Sequence, residues 1–300
     1  MKVIRGAQSA RLDRGTAITI GVFDGVHLGH RHLVKEVIAE ARRRNLLAGV
    51  VTLDPHPLQI LKPDVPLGLL ASLEERLRHL DTLGLDFAVV HPFSPQTAIT
   101  SAERFVCLLQ RHLKMEALVV GPDFALGHQR QGDTAYLAEL ARGRGIGFRV
   151  VEPLLLDGEP VKSSRVRSLI AAGRVREAGR LLARPPTVEG HVRAKQSFAE
   201  GGHVLSLAVD RLLLLPADGV YAGEVEKSQP ALIQIRGGAV EVGTIDPTRA
   251  GDSPAPGAGP LVVTAEDRLE LEPLAAGDGW AEGWKTRLAP LRAQAGAGPA

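Results

Sequence analysis

Two hydrophobic patterns alternate over the first 186 residues. Short runs rich in β-branched residues predict buried strands, and apolar residues at helical spacing, such as Leu33, Val34, Val37 and Ile38, predict amphipathic helices between them. The predicted strands are Ala17–Phe23, Leu47–Leu53, Phe87–Phe93, Ala117–Gly121 and Phe148–Val151. The predicted helices are 31–45, 72–84, 100–113, 133–143 with Asp133 as its cap, 164–172 and 175–183. Because strands that alternate with helices form parallel sheets, residues 1–186 are predicted to form a doubly wound, Rossmann-like α/β domain.

Two of these helices carry signals at their ends. Ser72 with Glu75, and Thr100 with Glu103, have the spacing of a capping box, in which two side chains satisfy backbone N–H groups at a helix start. Gly84 has the position of a C-cap, since glycine adopts the left-handed conformation that ends many helices. These residues therefore predict where two of the crossover helices begin and where one of them ends.

After Arg184-Pro185-Pro186 the pattern changes to short apolar runs separated by glycine, proline and aspartate turns. The predicted strands are Val188–Val192, Val204–Leu207, Leu212–Leu215, Val220–Val225, Leu232–Ile235, Ala239–Val242, Leu261–Thr264 and Leu269–Leu271. This spacing predicts a smaller all-β barrel or sandwich over residues 187–300. The Gly/Pro-rich stretch 251–260 predicts a flexible insertion, and 293–300 a disordered tail.

Composition excludes several classes of protein. An apolar share of 44% rules out disorder over most of the chain, and a single cysteine, Cys107, rules out an intrachain disulfide. Residues 1–186 hold 26 Lys/Arg against 19 Asp/Glu and 8 of the 10 histidines, whereas residues 187–300 hold 10 against 15. We expect a cytoplasmic protein with no membrane partner, because the sequence shows no signal peptide and no apolar run of membrane-spanning length. We also expect no nucleic-acid partner, because Arg42–Arg44 is interpreted as a solvated helix end. The sequence does not determine the oligomeric state, and a homo-oligomer is one possibility.

The strongest chemical signal lies between the first predicted strand and helix. Residues 21–30 read Gly-Val-Phe-Asp-Gly-Val-His-Leu-Gly-His, so His27 and His30 arrive at the start of a helix. A helix N-terminus favours phosphate, Gly29 would let phosphate approach the backbone, and the histidines would add donors. A His-x-x-His metal site, or two surface histidines, are the alternatives.

This segment resembles the HxGH signature of the nucleotidylyltransferase superfamily. Lys162-Ser163-Ser164-Arg165-Val166-Arg167 resembles the superfamily's Ser-Ser-Thr-x-Ile-Arg segment, with Lys162 replacing its first serine and Ser164 its threonine. The resemblance implies the catalytic residues His27, His30 and Arg167. It implies the ATP-binding residues Gly21, Phe23, Asp24, Gly25, Gly29, Lys162, Ser163 and Ser164. For Asp24, a role in stabilising the turn is an equal alternative.

Two further segments are similar to prokaryotic FAD synthetases. Asp54-Pro55-His56-Pro57 follows the second predicted strand, with Leu53 where that family often has phenylalanine. Residues 121–133 read Gly-Pro-Asp-Phe-Ala-Leu-Gly-His-Gln-Arg-Gln-Gly-Asp, with Leu126 where an aromatic residue is usual. The implied flavin-binding residues are Pro55, His56, Pro57, Asp123, Phe124, Gly127 and Arg130. The resemblance to this family covers residues 15–186, and it implies that FMN and ATP, with Mg²⁺ on the triphosphate, give FAD and pyrophosphate.

The back of the chain is similar to the riboflavin kinase barrel that follows this module in the family. Gly190-His191-Val192 resembles its opening strand, and residues 215–222, Leu-Pro-Ala-Asp-Gly-Val-Tyr-Ala, resemble a further segment. Where the family has Gly-x-Pro-Thr-Ala-Asn, this chain has Leu-Ser-Leu-Ala-Val-Asp at 205–210. The family's Arg-Pro-Thr is matched only in part, by Asp-Pro-Thr at 246–248. The strand expected to carry a glutamate base reads Leu-Val-Val-Thr at 261–264. We therefore expect a degenerate kinase domain.

Three other functions stay open. A bifunctional enzyme would also phosphorylate riboflavin to FMN through a divergent kinase site. A different nucleotidylyltransferase, acting on a nicotinamide or pantetheine phosphate, would share the histidine and serine motifs but not the two segments that favour flavin. A non-catalytic, flavin-binding regulatory protein is a fourth hypothesis, against which the intact His27, His30 and Arg167 count.

Overall fold

The computed structural model describes residues 1–197, 203–225, 229–244, 261–269 and 283–288. The described chain divides into two units, Met1–Leu67 with Ala71–Ser163, and Gly68–Leu70 with the residues from Ser164 onward. The predicted insertion at 251–260, the tail at 293–300 and the segment 246–248 lie outside the described residues.

The first unit is built on a six-stranded sheet in which every paired strand runs parallel. Its strands are β1 (Lys2–Arg5), β2 (Thr16–Gly21), β3 (Leu47–Asp54), β4 (Phe87–Pro92), β5 (Met115–Val120) and β6 (Gly147–Val150), in the order β1-β4-β3-β2-β5-β6. A two-stranded hairpin, β7 (Leu155–Leu156) and β8 (Glu159–Pro160), follows. Sequence analysis missed β1, because this edge strand buries only Ile4 and so lacks a hydrophobic run.

Helices cover both faces of this sheet. They are α1 (Leu28–Arg43), α2 (Pro57–Leu61), α3 (Leu73–Asp81), α4 (Pro95–Ala98), α5 (Ala102–Leu113) and α6 (Thr134–Gly143), with 3₁₀ turns at Ala7–Ser9 and His128–Arg130. Successive residues of one strand point to opposite faces: Leu118 and Val120 pack in one hydrophobic core, and Ala117 and Val119 in the other. The doubly wound α/β prediction is therefore confirmed.

The strand order places a ligand crevice at a defined edge. From β2 the chain adds β3 on one side and later β5 on the other, so the order reverses between β2 and β5. In open α/β sheets the loops that follow two such strands diverge at their carboxyl ends and leave a crevice between them. Here those loops are 22–27, after β2, and 121–133, after β5.

Four of the predicted helix ends can be compared with the structure. Ser72 accepts the N–H of Glu75 and Asp133 accepts the N–H of Tyr136, which confirms both caps. The cap of α5 is Ser101 rather than Thr100, because the Ser101 hydroxyl accepts the N–H of Arg104. The predicted end at Gly84 is also wrong: α3 ends at Asp81, and Gly84, with φ +85°, lies in the turn before β4.

The second unit contains a closed antiparallel barrel. Helices α7 (Ser163–Ala171) and α8 (Val175–Leu182) precede β9 (Thr187–Ser197), β10 (His203–Val209), β11 (Gly219–Val225), β12 (Gln229–Arg236), β13 (Ala239–Thr244) and β14 (Leu261–Leu269). The barrel order is β10-β13-β12-β11-β14-β9. The predicted strand at 212–215 is not formed: the Asp210 carboxylate accepts the N–H of Leu212 in a turn, and Leu213 makes a single bridge to Leu69.

Apolar side chains fill the barrel. They include Leu205, Leu207, Ile233, Val242 and Val263. Outside the barrel, Trp284 of helix α9 (283–288) packs on β13, where a Cβ on Gly243 would lie 2.4 Å from the indole ring. The predicted domain boundary after Pro186 lies at the start of β9, whereas the two compact units divide after Ser163, so α7 and α8 group with the barrel. Val175 of α8 lies in the barrel core.

The two candidate caps of α5 can be compared by mutation. Ser101→Ala should lower the free energy of unfolding by about 1 kcal/mol, because it removes the acceptor of a first-turn N–H group. Thr100→Ala should cost less, since the Thr100 hydroxyl donates to the exposed Gln96 carbonyl and does not cap the helix. Urea unfolding of both variants measures the difference, and a larger loss for Thr100→Ala would contradict the assignment.

Candidate active site

The loop after β2 has a constrained backbone. Phe23, Gly25 and Val26 have φ values of +55°, +78° and +41°, and the N–H of Val26 donates to the Phe23 carbonyl at 3.0 Å. Positive φ is costly for phenylalanine and most of all for a β-branched valine, so the surrounding structure must hold this loop in place. Such strain concentrates at functional sites, and here it directly precedes His27.

His27 caps helix α1 and joins two distant segments. Its Nδ1 accepts the N–H of His30 at 3.3 Å, and its Nε2 lies 3.2 Å from Ser163 Oγ, 136 residues later. The Ser163 hydroxyl in turn donates to the Asp24 carbonyl at 3.2 Å. Because Nδ1 accepts and the serine proton is directed to Asp24, Nε2 carries the imidazole proton and donates to Ser163. We call this chain of hydrogen bonds the His27–Ser163–Asp24 relay.

The two histidine rings lie face to face. His27 and His30 stack with ring centroids 3.7 Å apart and planes inclined by 18°, and Phe23 meets His30 edge-on at 5.3 Å. His27 is buried and His30 is half-buried. Both motif histidines thus lie in one place at the N-terminus of α1, as their sequence position predicts.

Gly29 is required by contact with the protein itself. A Cβ at this position would lie 2.6 Å from the Val161 carbonyl oxygen and 3.1 Å from the His27 ring. Sequence analysis assigned the glycine to the close approach of phosphate. The contact with Val161 excludes a side chain independently of any ligand, and it brings the segment before Ser163 against the start of α1.

Asp24 is buried, and one of its carboxylate oxygens accepts the N–H of Ala71 at 3.3 Å. This contact agrees with the structural alternative given for Asp24, since it ties the loop to the segment before α3. Its ATP-binding role, like those of Gly21, Phe23 and Gly25, stays a prediction. Among the described residues, no group of three or more histidine, cysteine, aspartate or glutamate side chains is arranged to hold a metal ion.

The loop after β5 is folded onto the start of α5. A Cβ on Gly127 would lie 2.4 Å from the Ala102 backbone nitrogen, and Gly127 has φ +81°. Leu126 and Gly132 exchange backbone hydrogen bonds of 3.0 Å, which closes the loop, and Phe124 packs against the hydrophobic core. Leu126 is itself buried, so an aliphatic side chain fills the position where the family often has an aromatic one.

Polar residues of this loop reach the segment before α7. Arg130 donates to the Asp123 carbonyl at 2.9 Å, and the Lys162 ammonium lies 2.6 Å from an Asp123 carboxylate oxygen. The hydrogen bond and charge of Lys162 hold the pKa of Asp123 below its usual range, with a smaller contribution from Arg130. A residue implied to bind flavin is therefore paired with one implied to bind ATP.

The loop after β3 is shaped by His56. Its Nδ1 accepts the N–H of Leu58 at 3.1 Å, while Gln59 Oε1 accepts the N–H of His56 at 2.8 Å, so His56 caps the short helix α2 that begins at Pro57. This capping role accounts for His56 between Pro55 and Pro57 without a ligand. Flavin contacts of these three residues stay predictions.

Two of the implied site residues belong to the second unit, namely Ser164, implied to bind ATP, and Arg167, implied to be catalytic. Ser164 lies in the first turn of α7, and Arg167 one turn further along the same helix donates from Nε to the Gly68 carbonyl at 2.9 Å. Their roles on the triphosphate stay predictions. Sequence reasoning also missed the contributions of Val161, Thr52 and the buried Arg76, because only tertiary contacts mark these residues as parts of the site.

The Lys162–Asp123 contact gives a titration prediction. In Lys162→Met the pKa of Asp123 should rise toward 3.8, its ordinary value, because the hydrogen bond and the positive charge are both removed. Carboxyl ¹³C NMR across the acid range measures this pKa. Lys35→Met, which removes an exposed cation of α1 that does not act on Asp123, is the control. An unchanged Asp123 pKa in Lys162→Met would show that the ion pair does not form in solution.

Comparisons with known proteins identify the family of this chain. The sequence model of the FAD synthetase family matches residues 9–165. The bifunctional riboflavin kinase/FMN adenylyltransferase of Escherichia coli K12 is 33% identical over 243 residues, which cover 78% of each chain. The protein of the same name from Listeria monocytogenes is 31% identical over 70% of this chain and 68% of its own, and that of Pseudomonas fluorescens is 31% identical over 85% and 81%.

A solved structure supports the fold. The crystal structure described as a macrolide-efflux protein from Streptococcus pneumoniae matches with a TM-score of 0.77 and 22% identity over 97% of each chain. No helix in the described part of the chain has the length and hydrophobicity of a membrane span. The family match spans more than half of the sequence and contains the histidine loop, the loops after β3 and β5 and the first part of the serine segment, up to Arg165. The chain therefore belongs to the FAD synthetase family.

Proposed function

We propose that this protein makes FAD by transferring the AMP group of ATP to the phosphate of FMN, with release of pyrophosphate. The substrates follow from family membership. The observation that carries the proposal is the His27–Ser163–Asp24 relay, which joins the histidine motif to the serine motif. Two segments implied to bind one triphosphate are thereby held at a fixed separation.

The reaction suits the side chains at this site. The attacking group is an FMN phosphate oxygen, which is already ionised at neutral pH, so no general base is needed. Catalysis then depends on aligning that oxygen with the α-phosphorus of ATP and on stabilising the charge that develops on the α-phosphate and on the leaving pyrophosphate. Imidazole N–H, hydroxyl and guanidinium donors can do this, and Mg²⁺ would arrive with ATP on its phosphate oxygens.

The start of α1 supplies fixed donors for the transition state. The first-turn N–H groups of Leu28 and Gly29 have no intrahelical acceptor, and the positive end of the helix dipole lies beside them. His30 stacks on His27 at the same helix end, so its ring N–H can reach the same phosphates, whereas the ring N–H of His27 is donated to Ser163 and fixes the position of the pair. Arg167 would add a planar fork to the pyrophosphate from the serine segment.

The crevice between β2 and β5 accounts for two substrates. The loop after β2 carries the phosphate donors, and the loop after β5 carries Asp123, Phe124, Gly127 and Arg130, implied to bind flavin. Ligands in open α/β sheets bind at the carboxyl ends of the strands, where the strand order reverses. ATP at the first loop and FMN at the second would meet phosphate to phosphate.

The barrel supports a narrower proposal about the second unit, namely that it does not phosphorylate riboflavin. A kinase needs a base for the riboflavin hydroxyl and a polar cradle for Mg-ATP. Leu205 and Leu207, at the expected cradle, and Leu261 and Val263, at the expected base, are all packed in the apolar barrel core. The names of the relatives include riboflavin kinase, so kinase activity is the competing hypothesis.

One assay separates these functions. Purified protein with Mg²⁺ and ATP should convert FMN to FAD and leave riboflavin unchanged, since apolar residues of the barrel core occupy the positions expected for the kinase cradle and base. Chromatography separates riboflavin, FMN and FAD. FMN or FAD formed from riboflavin would overturn the narrower proposal. No FAD from FMN would overturn the main one, and flavin binding without turnover would favour a regulatory protein.

His30→Ala tests the role of the histidine pair. Loss of one preorganised transition-state donor should lower kcat for FAD formation at least ~10²-fold. Steady-state kinetics over both substrates measures kcat and KM. His32→Ala, which alters a half-buried histidine on the same helix outside the motif, is the matched control and should keep kcat. If His30→Ala raised only KM, the side chain would bind ground state and transition state equally and the assigned role would be wrong.

A further inference from the structure

Arg76 is a buried cation outside every motif that sequence analysis identified. It lies on α3, and only 2% of its side chain is exposed. Arginine is rarely buried to this extent, because removing a charge from water is costly unless hydrogen bonds and an opposite charge compensate. The side chain therefore indicates a site where the protein needs several acceptors held together.

The guanidinium contacts the carboxyl ends of two neighbouring strands. Nη1 donates to the Val22 carbonyl at 2.7 Å and to Thr52 Oγ1 at 3.4 Å, and Nη2 donates to Asp54 Oδ1 at 2.8 Å. Val22 is the first residue after β2, whereas Thr52 and Asp54 belong to β3. One side chain thus links the beginning of the histidine loop to the strand end that leads into Pro55-His56-Pro57.

The Val22 carbonyl is the anchor of the histidine loop. It also accepts the Thr52 hydroxyl at 3.0 Å, so two buried donors fix the peptide between Val22 and Phe23. Phe23 follows with φ +55°, and its ring contacts His30. Movement of the Val22 carbonyl would therefore pass through Phe23 to the catalytic histidine.

We infer that Arg76 is a positioning residue for FAD synthesis, which holds the histidine loop at a fixed distance from the flavin segment after β3. The inference rests on the proposed function. The two reacting phosphates meet only if the loop that carries ATP keeps its position relative to both segments implied to bind flavin, and the segment after β3 is the one that Arg76 contacts through Asp54. An error of about 1 Å in such alignment can cost 10²-fold in rate.

Guanidinium chemistry explains why an arginine occupies this position. Its planar fork presents Nη1 and Nη2 in fixed directions, so it can bond Val22 and Asp54 at the same time. A lysine has a shorter side chain that ends in a single ammonium group. It can keep the ion pair with Asp54 but cannot make the full set of contacts. Arg76→Lys should therefore restore part of what Arg76→Met loses.

The first experiment measures kinetics of Arg76→Met, Arg76→Lys and the control Arg78→Met. Arg78 is an exposed residue of the same helix. At a temperature where circular dichroism shows each variant folded, Arg76→Met should lower kcat about 10-fold or more. Arg76→Lys should fall between Arg76→Met and wild type, and Arg78→Met should match wild type. A lower melting temperature with unchanged kcat would indicate a purely structural role and overturn the inference.

A double-mutant cycle with His30→Ala identifies the route of the effect. If Arg76 acts by positioning the histidine loop, Arg76→Met should cost less than about 3-fold in kcat once His30 is absent, because residues that act together are not additive. Equal losses in both backgrounds would overturn the inference. If the wild-type protein forms FAD and Arg76→Met has the same kcat, only the inference about Arg76 is overturned. If the wild-type protein forms no FAD, the proposed function is overturned and the inference with it.

Discussion

The candidate active site depends on one series of hydrogen bonds through His27. The imidazole accepts from the His30 backbone and donates to Ser163, whose hydroxyl donates to the Asp24 carbonyl. Each bond determines the next, since a nitrogen that accepts cannot donate and a serine has a single proton. The relay therefore fixes a tautomer, a ring orientation and the separation of two motifs at once.

Several contacts of ordinary type support this relay. The backbone of Phe23 and Val26 is held at positive φ, and Thr52 and Arg76 hold the carbonyl that precedes them. On the other side, the Val161 carbonyl lies so close to Gly29 that no side chain fits between them. Preorganisation of this kind matters because transition-state donors are effective only when they are already in place before the reaction.

The packing of the barrel does not depend on the chemistry associated with this fold in the family. Closure of six strands pairs every strand with two neighbours, and the interior is filled by residues such as Leu205, Leu207 and Val242. None of this depends on a catalytic base or a phosphate cradle. Apolar residues at the positions expected for the kinase site add to the core instead, so the proposed absence of kinase activity is compatible with a well-packed domain.

By itself the sequence determined the architecture and predicted a location for the chemistry. Strand and helix periods were enough to predict a doubly wound domain followed by a small barrel, because burial on one face leaves a regular pattern. Glycines and histidines between β2 and α1 predict a phosphate site there, since that chemistry needs a turn and a helix start. Edge strand β1 escaped because it buries a single residue, Ile4.

Tertiary structure alone decided which atoms cooperate. The sequence could not assign the cap of α5 to Ser101 rather than Thr100, because both carry a hydroxyl and only the local backbone chooses between them. It gave no sign of Arg76, whose partners Val22 and Asp54 are 54 and 22 residues away. It suggested phosphate as the reason for Gly29, where the Val161 carbonyl already requires glycine. Local patterns record burial and turns, whereas contacts between distant segments exist only once the chain has folded.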